Sequence, residues 1–158
     1  MTAQEMKVNA LVLIAVGSDA EYEAGMKTLE DFRAGRIPMP VVEDTAAELL
    51  VELGFPEGNL GFEQARTALV MGYQNPRLFD CMSGELFHSI GAACNMSPSR
   101  IDRNIRTGIA SMYREGNERK LDEFFRGAIS AKTGFPPAGA FLRRCLRELR
   151  SRMEVAVC

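Results

Sequence analysis

Apolar residues recur along most of this chain at the three- and four-residue spacing of a helix, and turn signals cut the pattern into segments of ordinary helix length. Ala46, Leu49, Leu50 and Leu53 share one face of a helix that Asp44 or Thr45 caps and Gly54-Phe55-Pro56 ends. Gly61 to Tyr73 sets Phe62, Ala65, Leu69 and Gly72 or Tyr73 on a second face, closed by Asn75-Pro76. Three further helices are predicted over Ser83 to Cys94, Ser97 to Glu115 and Asn117 to Arg126. Thr133-Gly134-Phe135-Pro136-Pro137 then breaks the periodicity before a last helix from Ala138 to about Met153. The pattern predicts an all-α fold for one domain spanning residues 40–158.

Residues 1–39 form an N-terminal extension of different character. Leu11 to Val16 fits a buried strand, or the end of a helix capped at Thr2 with Glu5 three residues on; periodicity does not decide between them. Gly17-Ser18-Asp19 opens a helix that runs to Ala34, and Gly35, Pro38 and Pro40 mark a boundary. A Gly-Ser turn before a helix can cradle phosphate on backbone N–H groups. Without a full G-x-G-x-x-G or a Lys in the turn, Ser18 or Asp19 as a helix cap is the favoured reading. The apolar run Ala10 to Val16 is too sticky for a free tail, so the acidic helix after it is expected to pack on the main domain or on a partner subunit.

The chemistry concentrates between Leu86 and Tyr113, where the spacing meets the steric demands of a helix-turn-helix. Gly91, Ala92 and Ala93 are small enough for two helices to cross closely. The turn must enter positive φ, which Asn tolerates better than most residues, and Asn95 stands there. Met96 buries an apolar side chain beneath the turn, Ser97 is a good N-cap, and Pro98 falls at the first helical position, where its missing N–H costs nothing.

A helical wheel divides the second helix into two faces. Ile101, Ile105, Gly108 and Met112 form the buried stripe, so Leu86, Ile90, Met96, Ile101 and Ile105 are the expected core of the motif. Ser99, Asp102, Arg103, Arg106 and Ala110 point away, flanked by Arg100, Thr107 and Arg114. A helix that enters a major groove carries bidentate donors on its exposed N-terminal half. Arg103 and Arg106 are placed for guanine edges, and Arg100 for the phosphate backbone. Asp102 accepts from a cytosine amino group or holds an arginine in position. Ser97, Ser99, Arg100, Asp102, Arg103, Arg106, Thr107 and Arg114 are thus the candidate DNA-binding residues.

Charge sharpens this picture once it is divided along the chain. The formal net charge of -2 hides six Lys/Arg against 14 Asp/Glu up to residue 99, and 13 against seven after it. An acidic half joined to a basic half is the footprint expected when one half faces phosphates, although two merely solubilising surfaces would give the same count. The four cysteines, Cys81, Cys94, Cys145 and Cys158, form no C-x-x-C pair, and with one histidine, His88, they give no metal site. They fit reduced thiols, three of them packed as small hydrophobes. The longest apolar run falls short of the roughly 20 residues a membrane span needs, and the N-terminus has no signal-peptide pattern, so a soluble, cytoplasmic protein is expected.

Ser99-Arg100-Ile101-Asp102-Arg103-Asn104-Ile105-Arg106 and Tyr113-Arg114-Glu115-Gly116-Asn117 resemble the C-terminal DNA-binding effector domain of the stage zero sporulation response regulators. The likeness extends over roughly Val42 to Met153 and includes Leu53-Gly54-Phe55-Pro56 and the Gly61 to Tyr73 segment. It implies a six-helix, all-α effector domain that binds a short DNA box as tandem dimers and contacts RNA polymerase sigma factors. It also implies a polymerase-contacting role for Leu121 to Pro137 and a dimer-forming role for the helix from Ala138. Asp102 stands where the family usually has Glu, and Asn104 and Gly108 replace residues that are commonly alanine. About 40 unrelated residues precede the matching stretch where full-length family members carry a receiver domain, so activation by phosphorylation is not implied.

No cluster of acid-base or nucleophilic residues points to an enzyme, and no cofactor is expected. The expected partners are double-stranded DNA, a sigma factor and a second copy of the chain, with no membrane. The rival class is a protein-interaction module that keeps the fold but acts on a related regulator or on polymerase without reading DNA.

Overall fold

A computed structural model describes residues 18–157. In chain order it contains α1 (Asp19–Arg33), α2 (Met39–Glu52), α3 (Leu60–Gln74), α4 (Phe87–Cys94), α5 (Pro98–Glu115), α6 (Glu118–Phe124) and α7 (Ala138–Val157). A 3-10 turn, Pro76–Phe79, and a wider π turn, Met82–Leu86, lead from α3 into α4. No strand occurs among the described residues, so the expected all-α architecture is what the chain adopts. The apolar segment Leu11 to Val16 lies outside the described residues.

Helix α3 is central, packing on α2, α5 and α7. Its Ala65, Ala68 and Leu69 are buried with Leu49 and Leu50 of α2, Ile101, Ile105 and Ile109 of α5, and Phe141, Leu142 and Leu149 of α7. Phe55, just beyond α2, packs tilted beside Phe141 with ring centroids 5.6 Å apart, and Phe125 stacks on the same ring at 5.3 Å. Each such side chain gains about 1.5–3 kcal/mol on leaving water, so this one layer supplies most of the drive to fold.

Several expectations need correction. Helix α2 starts at Met39 with Pro38 as its N-cap, six or seven residues before the Asp44 or Thr45 cap expected. Pro40 sits in its first turn, where a helix needs no N–H from it, so this residue opens the helix rather than bounding it. The segment from Ser83 does not begin as an α-helix, because Met82–Leu86 takes the wider turn first. Of the described cysteines only Cys145 is buried; Cys81 and Cys94 are exposed. In α1, none of the residues whose burial is described is buried, and Tyr22 (58 % exposed) and Met26 (39 %) are open to solvent. Ser18 and Glu21 do form a reciprocal cap at its start: Ser18 N–H donates to Glu21 Oε2 at 2.9 Å and Glu21 N–H to Ser18 Oγ at 3.3 Å. The cap reading of that turn is therefore the one the structure takes.

The basic C-terminal half also spends much of its charge internally. On α7, Arg143 donates to Phe79 O (3.1 Å) and Arg150 to Gly72 O (3.1 Å). Arg144 donates to Phe124 O at 3.0 Å with its guanidinium 3.9 Å above the Phe124 ring. Arg152 grips Glu52 of α2 through two contacts of 3.0 and 2.6 Å. These arginines tie off helix-end carbonyls and clamp α7 to the body, so the positive excess of this half overstates what is free to meet phosphate.

Candidate nucleic-acid interface

Helices α4 and α5 are joined by a tight turn at Asn95. Asn95 closes α4 in the left-handed region, at φ 55 and ψ 47, and Met96 N–H donates to Gly91 O at 2.8 Å. Gly91 is obligatory here, because a Cβ would strike the Met96 carbonyl oxygen. Ser97 then takes an extended conformation and caps α5, its Oγ accepting from Arg100 N–H at 3.4 Å, with Pro98 at the first helical position.

The inner face of α5 is fixed by packing. Ile101, Ile105, Gly108, Ile109 and Met112 are buried, one more position than the expected stripe. Leu86 and Ile90 are buried as expected, whereas Met96 is only half-buried against the core's edge. Gly61 of α3 presses on α5 so tightly that a Cβ there would meet the Asn104 carbonyl. Helix α5 therefore rests on a close-packed support and presents one face outward.

On that face the structure exposes Ser97, Ser99, Arg100, Arg103, Arg106, Thr107 and Arg114, with Asp102 half-buried. Ser99, Arg100, Arg103, Asn104 and Arg106 border one open concavity of about 680 Å³. Asp102 Oδ2 holds Arg106 Nε at 2.9 Å across one helical turn, so Asp102 takes the arginine-holding role in the free protein. Among the described residues Arg100 and Arg103 have no ion-pair partner. Thr107 Oγ1 donates to Arg103 O at 2.9 Å, which occupies the one proton it would offer a phosphate. Arg114, at the far end of α5, bonds Ser111 (3.0 Å) and Glu115 (3.3 Å) and lies outside the concavity. Ser97 Oγ lies 3.2 Å from Ser99 Oγ at the helix start. The structure thus brings Ser99, Arg100, Arg103 and Arg106 together and leaves Thr107 and Arg114 apart.

Asn104 belongs to the concavity but not to the candidates drawn from the sequence. The sequence reading assigns it to neither face of the helix; its side chain is half-buried, and only its tertiary neighbours reveal it. No helix among the described residues is long and apolar enough to cross a membrane. Residues 46–149 match the family model described as Sporulation initiation factor Spo0A C terminal.

Proposed function

From the premise that this chain belongs to the family of sporulation initiation factor C-terminal domains, which are DNA-binding effector domains of transcription regulation, we propose that α5 enters the major groove and reads a specific sequence. The observation that carries this is the pairing of a buried stripe with an open concavity on the same helix, bordered by Arg100, Arg103 and Arg106. Arg103 and Arg106, on the N-terminal half of α5 and one turn apart, contact guanine O6 and N7. Arg100 contacts phosphate, with Ser97 and Ser99 assisting at the helix start. Asp102 sets the approach of Arg106 and accepts from a cytosine amino group when that arginine turns to its base. Thr107 and Arg114 contribute backbone contacts only after giving up their present bonds.

The effector unit runs from about residue 40, acts as a cytoplasmic homodimer on DNA, and offers its 121–137 segment to a sigma factor. Its task is recognition, not catalysis. The test is a binding titration of the whole chain and its variants on a selected box and on scrambled DNA at several salt concentrations. Arg103→Ala and Arg106→Ala each relax preference at one base position, by about 1–3 kcal/mol. Arg100→Ala weakens all sequences alike and lowers the salt slope by about one unit. Unchanged affinity and preference in both base-reading variants would overturn direct readout in favour of a protein-interaction module of the same fold.

A further inference from the structure

Behind the recognition helix lies a small polar node. Gln64, on α3, is 94 % buried (relative exposure 6 %) and points its Nε2 at Met96 Sδ, 3.3 Å away. The Nδ2 of Asn104 approaches the same sulfur at 3.9 Å from the α5 side. A thioether only accepts, so each amide must turn its nitrogen toward the sulfur and its oxygen away. For Gln64 this leaves Oε1 buried without a partner among the described residues. For Asn104 the consequence is different, because its half-buried side chain borders the same concavity as Arg100 and Arg103.

We propose that Asn104 is a further specificity-determining residue, reading adenine beside the base read by Arg103. A carboxamide has two N–H donors and one acceptor oxygen. Only one N–H is spent on Met96, and that bond is long and weak. The second N–H and Oδ1, which has no hydrogen-bond partner among the described residues, form a planar donor-acceptor pair. Adenine N7 and N6–H match that pair in the major groove, and neither guanine nor a pyrimidine presents the same pattern there. The sulfur fixes the amide's orientation without consuming the groups that read the base. Gln64 holds the sulfur from the other side, and the close seat of Gly61 on the Asn104 carbonyl fixes the backbone that carries the side chain. Met96 and Gln64 are positioning residues; Asn104 is the one that touches DNA.

This inference rests on the reading of α5 as the base-reading helix, and its test separates the two. The full chain and its Asn104→Ala variant are each presented with a random DNA library, and the selected boxes are compared position by position. The wild type is expected to select a box with adenine beside an Arg103-dependent guanine. Asn104→Ala is expected to lose about fivefold to a hundredfold in discrimination at that adenine while keeping the guanine preference. Replacing that adenine by 7-deazaadenine, which lacks N7, should weaken the wild type and leave Asn104→Ala unchanged. Met96→Leu, which keeps the volume and removes the acceptor, should reduce discrimination at the adenine alone. If the wild type selects a box and Asn104→Ala selects the same one with equal preference at every position, the inference fails and direct readout by the arginines stands. A loss of thermal stability in Asn104→Ala with unchanged preference would likewise overturn it, assigning the amide to Gln64 Oε1 instead. If the wild type selects no sequence at all, both fail together.

Discussion

The ring of Phe55 points its tip at Gly108, so close that a Cβ at residue 108 would run into Phe55 Cζ and Cε1. Phe55 is 2 % exposed and also contacts Phe62 and Phe141, so the ring has nowhere to retreat. A glycine in mid-helix costs roughly 1 kcal/mol in propensity relative to alanine. Here that cost admits the ring that locks α5 to the end of α2. Gly108→Ala should therefore destabilise, by about 1–3 kcal/mol, although it improves helix propensity. Urea unfolding monitored by circular dichroism measures this. Phe55→Leu combined with Gly108→Ala should cost less than the two single changes added together.

The turn of the motif gives a second test at Asn95. Its φ of 55 is the sole positive value at a non-glycine residue among the described residues. Asn95→Gly should be near neutral, while Asn95→Ala should cost about 1 kcal/mol, because a Cβ with no side-chain polar group gains nothing in the left-handed region. Thermal melts of the three proteins side by side would show it, and a stable Asn95→Ala variant would place the turn in another conformation.

Acid should weaken the clamp between α2 and α7. The Arg152 guanidinium, hydrogen-bonded to Glu52, holds that carboxyl below its usual range. A depressed folded-state value means the contribution is present above the carboxylate's ordinary value, near 4.5, and is lost as pH falls through the lower folded value. The pair is largely solvent-exposed on the Glu52 side, so its worth is about 0–1 kcal/mol. Glu52→Gln should lower Tm slightly at pH 7 and not at pH 3, and added salt should narrow the gap at pH 7.

Alkali should act through Tyr113. Burial, reinforced by Asp122 and Glu118, pushes its phenol up to about 12. Its hydroxyl is buried without a partner among the described residues, and the ring packs 6.1 Å from Phe135 and 6.5 Å from Phe125. A raised folded-state value contributes stability that is complete below pH 10 and is lost as pH rises toward 12. Titrating phenolate absorbance should show one late tyrosine, absent in Tyr113→Phe, and Tyr113→Phe should lose less stability than the wild type over that interval.

How much of this was legible in the sequence depends on how local each signal is. Asn95, Ser97 and Pro98 announce the turn and the start of α5 because their backbone requirements are satisfied within four residues. The Ile101, Ile105 and Met112 stripe follows from helical period alone. Pro40 misled, since a proline that ends one helix and a proline that opens the next look alike until the first turn is located. The arginines of α7 misled differently: charge counting cannot see that Arg143, Arg144 and Arg150 end on backbone carbonyls of distant segments. Asn104 was invisible as a candidate because its orientation depends on Met96 and, through it, on Gln64, 32 residues before that methionine in the chain.

The ion pair between Asp102 and Arg106 makes the last prediction. In the free protein Asp102 Oδ2 holds Arg106 Nε at 2.9 Å, and both groups are substantially exposed. The bond is too weak to matter for folding, about 0.3–0.5 kcal/mol for such a pair, so on the proposed reading of α5 its effect falls on DNA recognition. If α5 reads DNA as proposed, Arg106 must leave Asp102 to reach a base edge, and without the aspartate it is free to settle on the nearest phosphate. Asp102→Asn also removes a negative charge from the face proposed to meet phosphates. The variant should therefore bind scrambled DNA more tightly, with a salt slope steeper by about one unit. Preference at the Arg106 position should relax, since a phosphate contact carries no base information. Preference at the Arg103 position should persist. The measurement is the ratio of affinities for selected and scrambled DNA across a salt series. A ratio that stays at the wild-type value in Asp102→Asn would show that the aspartate neither orients Arg106 nor contacts a base.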